Sequence, residues 1–119
     1  MEKKILIFAA TYNEAGNIKN FIEKILELNI NLDLLIIDDN SPDKTWEIVN
    51  NYKKNNKNIV LIKRKGKEGL DTAHKLAFNY AKEHNYNYLV TIDADLSHDP
   101  TKIPDFLNEL KDQPFVIGS

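Results

Sequence analysis

Two aspartates stand two positions apart at the end of an apolar run, in YLVTIDADLSHDP (residues 88–100). Residues i and i+2 of a strand point the same way, so Asp93 and Asp95 would face one point, with the small Ala94 between them. Two hard oxygen ligands suit Mg²⁺ or Mn²⁺. The spacing also arises by chance in a chain with ten aspartates, which leaves two solvated carboxylates at a helix entry as the alternative. His98, a single histidine in a polar loop, is predicted to be structural.

A second acidic pair, Asp38 and Asp39, ends another apolar run in IIDDNSPDKT. Adjacent residues of a strand point to opposite faces, so both carboxylates can serve one site only if the chain turns there. Asn40-Ser41-Pro42 supplies such a turn. Asp39 is predicted either to accept hydrogen bonds from a base or a ribose, or only to cap the turn.

Polar residues also follow the first apolar run, in TYNEAGN. Tyr12 offers an aromatic face for stacking and Glu14 offers an acceptor, while Asn13 or Glu14 could instead begin the next helix. The basic segment KRKGKEG (residues 63–69) would meet a phosphate near a helix N-terminus or form a solvated face. It lacks the Gly-Lys-Ser/Thr of a Walker A loop.

The composition predicts one domain over residues 1–119, with a net charge of −2 and no cysteine. The charge gives no broad basic field, so nucleic acid is not a predicted partner. The absence of cysteine excludes disulfides and thiolate metal sites. No apolar run approaches the roughly 20 residues that span a bilayer, and Asn13 and Glu14 interrupt the N-terminal run too early for a signal peptide. A cytoplasmic protein is therefore predicted.

Apolar strands alternate with amphipathic helices along the whole chain, which predicts an α/β fold with a mostly parallel sheet between two helical layers. Ser41 is predicted to be the N-cap of the second helix, with Pro42 at its first position and Asp43 in its first turn. Ligands of such sheets bind beyond the carboxyl ends of the strands, where the acidic segments lie. The predicted strands are 4–10, 32–38, 58–64, 86–93 and 114–119, and the helices are 14–29, 41–54, 70–84 and one that begins at Asp99-Pro100.

Four motifs then accumulate in order: TYNEAGNI, IIDDNSPDKT, KEGLDTA and IDADLSHDP. Together they resemble the family 2 glycosyltransferases, specifically the dolichyl-phosphate (polyprenyl-phosphate) mannosyltransferase branch, over about residues 4–119. The resemblance implies the GT-A fold, which is a Rossmann-like sheet that binds a nucleotide-diphosphate sugar. It also implies Mg²⁺ or Mn²⁺ as the cofactor. The donor-binding residues that it implies are Ala10, Tyr12, Glu14, Ile37, Asp39, Asp93, Ala94 and Asp95.

The same resemblance implies a chemistry. Asp93, Asp95 and Ser97 would hold the metal, and Asp95 would be the catalytic residue that also orients the sugar. GDP-mannose is the favoured donor, and transfer would invert the anomeric centre. The acceptor would be a polyprenyl phosphate at the membrane surface, and the cytoplasmic protein would then be peripheral at the cytoplasmic face of a membrane.

The sequence also departs from the family pattern. Ala10 stands where the family usually has Pro, and Asp71 stands where it often has Gly. The family continues past the point where this sequence stops, so a membrane subunit or a separate chain is expected to supply the missing acceptor half. The alternatives are a donor-binding fragment without turnover, a response-regulator receiver domain and a nucleotidyltransferase on a similar sheet.

Overall fold

The described part of the chain alternates between strands and helices, as its hydrophobic pattern predicts. In this computed structural model the described residues are 4–28, 31–66, 69–92 and 94, with the backbone of 116–118. The predicted helix at Asp99-Pro100 lies outside them. The elements are β1 (Ile5–Thr11), α1 (Ile18–Glu27), β2 (Asp33–Asp38), α2 (Thr45–Lys53), β3 (Ile59–Lys63), α3 (Leu70–Glu83), β4 (Tyr88–Thr91) and β5 (Val116–Gly118).

The five strands form one sheet in the order β3-β2-β1-β4-β5, and every pairing is parallel. The chain runs outward from β1 to β2 and β3, then returns to β4 on the other side of β1. The order therefore reverses at β1, where Phe8 lies opposite Leu35 of β2 and Thr91 of β4. Ligands of open α/β sheets bind at such a reversal, beyond the carboxyl ends of the strands. A site is therefore expected beyond the carboxyl end of β1.

Both faces of the sheet are apolar and covered, which confirms the predicted three layers. One face packs against α1 and α2, where Phe21, Ile22 and Val49 are fully buried. The other face packs against α3 through Ala73 and Ala77, whose small side chains let that helix lie close to the strands. Since side chains alternate along a strand, neighbouring residues of β1 and β2 enter different cores.

The predicted N-cap of α2 is wrong. The helix begins at Thr45, and Lys44 before it has a left-handed φ of 61°. The Ser41 hydroxyl donates to Asp38 Oδ1 at 2.7 Å and accepts the backbone N–H of Asn13 at 3.0 Å, so it bonds to other elements and not to the helix. Asp43 precedes the helix and accepts the Thr45 N–H at 3.1 Å.

The start of α1 also differs from the expectation. Neither Asn13 nor Glu14 is in the helix, which begins at Ile18. A turn comes first, in which the Glu14 carbonyl accepts the N–H groups of Asn17 and Ile18. Within the described ranges, no helix is both long and apolar enough to cross a lipid bilayer.

Candidate functional site

The two adjacent aspartates at the end of β2 point into different environments. Asp38 is fully buried and faces the same side as Ile36, toward α1 and α2. Asp39 is 8% exposed and faces the α3 side, where Arg64 pairs with it. The alternation of strand side chains therefore separates a structural carboxylate, Asp38, from Asp39, which lies on the α3 side at the carboxyl end of the strands.

Asp38 closes the turn after β2. Its Oδ1 accepts the Thr11 hydroxyl at 2.6 Å and the Ser41 hydroxyl at 2.7 Å, and its Oδ2 accepts the Ser41 N–H at 2.9 Å. The expectation that Asp39 only caps this turn is wrong, because both of its carboxylate oxygens accept from Arg64. Hydrogen bonds to a buried carboxylate are among the stronger ones in proteins.

The first loop (residues 12–17) is bonded to the second loop (residues 39–44) and to the start of α2. The hydroxyls of Ser41 and Thr45 connect the two loops. Each accepts an N–H from the first loop and donates to an aspartate in or next to the second loop. The motif DDNSPDKT thus fixes the backbone that carries the candidate ligand residues. Three consecutive N–H groups of the first loop donate to side chains: Asn13 to Ser41 (3.0 Å), Glu14 to Thr45 (2.9 Å) and Ala15 to Asp43 (3.0 Å).

These hydrogen bonds shift the titration of Asp43. Partial desolvation alone would raise its pKa, but the Thr45 hydroxyl and the N–H groups of Ala15 and Thr45 donate to its carboxylate. The donors outweigh desolvation, and the pKa of Asp43 lies below its ordinary value. The ionised form is therefore the one that holds the two loops together.

We expect Asp43→Ala to lower the free energy of unfolding by about 1 kcal/mol at pH 7, since it removes a solvent-exposed cap. The folded pKa lies below the unfolded one, so this stabilisation is complete above the unfolded pKa and is lost as pH falls through the folded value. Urea unfolding at pH 7 and at pH 3 measures the difference. Asp71→Ala, which removes an exposed acid from the first turn of α3, is the matched control. Equal pH dependence of the two variants would contradict the expectation.

A hollow of about 230 Å³ opens on the α3 side of the carboxyl edge. It brings together four residues predicted from the sequence to bind the donor, namely Ala10, Tyr12, Glu14 and Asp39. Tyr12 is 37% exposed at its rim, and Asp39 supplies an acceptor. An apolar rim with a few polar groups suits a flat ring that carries N–H or hydroxyl donors. The lining residues are Ala10, Thr11, Tyr12, Glu14, Asp39, Gly69 and Leu70.

Sequence reasoning missed the wall that α3 contributes. Gly69 and Leu70 line the hollow, and Leu70 is 59% exposed. Gly69 precedes the helix with a φ of +95°, which a residue with a side chain rarely adopts. The basic segment is predicted to meet a phosphate or to form a solvated face. Arg64 does neither, because its guanidinium makes two hydrogen bonds to the carboxylate of Asp39. Lys65, the next residue, is exposed. The sequence signal for this wall is a glycine, Gly69, directly before an amphipathic helix.

The profile of glycosyl transferase family 2 matches residues 6–119. The chain belongs to glycosyl transferase family 2. Two curated relatives are similar to this family 2 chain. An undecaprenyl-phosphate mannosyltransferase of Micrococcus luteus is 30% identical over 116 residues, which is 98% of this chain and 48% of the relative. A dolichol-phosphate mannosyltransferase of Pyrococcus furiosus is 31% identical over 119 residues, or 98% of this chain and 33% of the relative.

The fold of the family 2 chain matches solved structures. A mannosyltransferase from Pyrobaculum calidifontis, determined in complex with GDP-mannose and Mn²⁺, superposes with a TM-score of 0.78 and 19% identity. The match covers 95% of this chain and 34% of that structure. The predicted GT-A-type sheet is thereby confirmed. The receiver-domain alternative is wrong, because that fold has the strand order 2-1-3-4-5, whereas this sheet has the order β3-β2-β1-β4-β5.

The other predicted site residues lie elsewhere. Ile37 is fully buried in the core beneath α3, and Ala94 is 3% exposed in the core beside α1. Neither lines the hollow among the described residues. Asp93, Asp95 and Ser97 fall outside the described part of the chain, so their roles, like those of Ile37 and Ala94, stay predictions.

No cluster of three or more metal-binding side chains occurs in the part of the chain that the structure describes. Asp38 already accepts three hydrogen bonds, and both oxygens of Asp39 accept from Arg64. The metal ligands predicted from the sequence all follow β4 in the chain. The Ile92 N–H donates to the Phe8 carbonyl at 3.0 Å, so the chain passes beside β1 as it leaves β4.

Proposed function

We propose that this chain is the donor-binding part of a glycosyltransferase, with a nucleoside-diphosphate sugar as donor and GDP-mannose favoured. Residues 1–119 form one donor-binding domain in this proposal. The observation that carries it is the hollow at the carboxyl edge, where Ala10, Tyr12, Glu14 and Asp39 come together. The similarity to two mannosyltransferases and to a mannosyltransferase solved with GDP-mannose supports a mannosyl donor.

Each part of the hollow suits one part of a nucleoside. Tyr12 offers a ring for stacking, and Leu70 extends the apolar rim on the α3 side. Ala10 is small enough for the ligand to approach the backbone of β1. Glu14 and Asp39 offer carboxylate oxygens to donors of the base and the ribose. The diphosphate and the sugar then extend along the sheet edge toward the end of β4.

Asp93 and Asp95, with the Ser97 hydroxyl, are proposed to hold Mg²⁺ or Mn²⁺. Carboxylate and hydroxyl oxygens are a hard donor set that fits these ions. The position of Ile92 against β1 supports this, because it brings the end of β4 beside the strand whose residues Ala10 and Thr11 line the hollow. When bound, the cation supplies charge neutralisation for the leaving diphosphate. Asp95 is also proposed to orient the sugar.

The proposed reaction is an inverting transfer to a polyprenyl phosphate. A phosphate oxygen of the acceptor forms a bond to the anomeric carbon, and the bond from that carbon to the diphosphate breaks with its electron pair. The acceptor phosphate is already anionic near neutral pH, so it needs no general base. The acceptor is proposed because both curated relatives are named for polyprenyl-phosphate substrates.

This chain spans between a third and a half of the length of those relatives. The whole activity is therefore proposed for a larger unit, in which a further segment or a partner chain binds the lipid at the cytoplasmic face of a membrane. Donor binding is expected of this chain alone, whereas transfer is expected only of the larger unit.

Calorimetric titration of the chain with GDP, UDP and CDP and with their sugars, in Mn²⁺, in Mg²⁺ and in EDTA, tests the proposal. Metal-dependent binding with GDP or GDP-mannose tightest is the expected result. A folded chain that binds no nucleotide with any metal would overturn it. Tighter binding of UDP or CDP would keep the donor class and reject GDP-mannose.

A further inference from the structure

Arg64 joins two walls of the hollow. Its Nε lies 2.5 Å from Asp39 Oδ1 and its Nη2 lies 2.8 Å from Asp39 Oδ2. The same guanidinium reaches α3, with Nη1 at 2.7 Å from the Thr72 hydroxyl and Nη2 at 3.1 Å from the Gly69 carbonyl. One side chain therefore holds both the carboxylate on the sheet and the first turn of the helix opposite.

The fold places Arg64 for this role. Lys63 ends β3 opposite Asp38, and the Arg64 N–H donates to the Asp38 carbonyl at 2.7 Å. The parallel pairing thus continues one residue past the strand, so that Arg64 stands beside Asp39. The side chains of the pair are 9% and 11% exposed, which shields the interaction from water.

We propose that Arg64 is a positioning residue for nucleobase selection: it fixes the direction in which Asp39 presents its oxygens to the hollow. This inference rests on the proposed function, because it assigns the base of the donor to Asp39. Arg64 acts through Asp39 and through α3, and it need not touch the ligand.

The geometry of the pair explains why an arginine stands here. A guanidinium that binds both carboxylate oxygens forms a planar fork and stops the carboxylate from rotating. The lone pairs of both oxygens then lie in that plane, which suits the in-plane N–H donors of a base edge. The positive charge of Arg64 also offsets the carboxylate of Asp39, which would otherwise repel the anionic diphosphate proposed to extend from the hollow. A lysine keeps this charge but provides a single point of contact, so it cannot fix the plane.

The test measures dissociation constants for GDP and UDP, in Mn²⁺, with the wild-type chain and three variants. Arg64→Lys keeps the charge and removes the fork. Thr72→Val removes one anchor on α3 and leaves the Asp39 pair. Lys65→Gln removes one positive charge from the same segment at an exposed position, and it is the matched control. Thermal unfolding of each variant, without nucleotide, reports folding separately.

We expect Arg64→Lys to reduce the ratio of the UDP dissociation constant to the GDP dissociation constant by about tenfold, which corresponds to one charge-assisted hydrogen bond. Thr72→Val should reduce the ratio less, and Lys65→Gln should leave it unchanged. A folded Arg64→Lys chain that keeps the wild-type ratio would overturn the inference, whether its affinities stay normal or fall together. If Arg64→Lys does not fold, a folded Thr72→Val chain with an unchanged ratio overturns it. A wild-type chain that binds neither nucleotide overturns the proposed function and this inference together.

Discussion

Asp38→Ala is expected to lower the free energy of unfolding by about 3–5 kcal/mol, the largest stability effect expected of a polar residue at this site. Asp38 is fully buried and accepts from the Thr11 hydroxyl, the Ser41 hydroxyl and the Ser41 N–H. Its removal leaves three buried donors without their acceptor. An unsatisfied buried donor costs about 1–3 kcal/mol, and the cavity adds to this.

Equilibrium urea unfolding measures the effect, and the fluorescence of Trp46, the single tryptophan, reports it. Trp46 lies in the first turn of α2 with Lys63 Nζ 3.7 Å from its ring centroid, so it senses this edge of the sheet. Ser41→Ala is the graded control, because it removes one donor to Asp38 and leaves the Ser41 N–H in place. We expect that control to cost about 1–2 kcal/mol. A loss below about 1 kcal/mol for Asp38→Ala would contradict the role of this carboxylate.

The strands and the sheet class could be predicted because their signal is local. Apolar runs such as KILIFAA, set between helices that carry one apolar side, are typical of strands buried on both faces of a parallel sheet. The separation of Asp38 from Asp39 follows from the same alternation. Strand bounds accordingly agree with the structure to within a few residues.

The helix starts and the wall of the hollow depend on contacts distant in sequence. Ser41 looks like an N-cap in its own sequence context, yet its hydroxyl bonds the backbone of Asn13, 28 positions away. Arg64 looks like one cation in a basic run, and only the β2–β3 pairing shows that it stands beside Asp39. Neither contact leaves a periodic pattern, so composition and spacing could not reveal it.

The other large effect concerns binding. We expect Asp95→Ala to abolish the gain in nucleotide affinity that Mn²⁺ provides, a loss of about 100-fold or more for GDP-mannose. The physical reason is that the diphosphate is held mainly through the cation. Loss of one oxygen ligand weakens the binding of the cation and therefore the binding of the diphosphate. In EDTA the variant and the wild-type chain should bind GDP, which carries no sugar, equally weakly.

Two further variants separate the metal from the rest of the site. Asp39→Asn should weaken binding both with and without Mn²⁺, because it alters the contact to the nucleoside and leaves the metal dependence intact. Asp71→Ala removes one negative charge beside Leu70 at the rim, and it should change neither quantity. If Asp95→Ala retained the full Mn²⁺-dependent gain, Asp95 would not be a metal ligand. If Asp39→Asn lost that gain, Asp39 would act on the cation and not on the nucleoside, contrary to its pairing with Arg64.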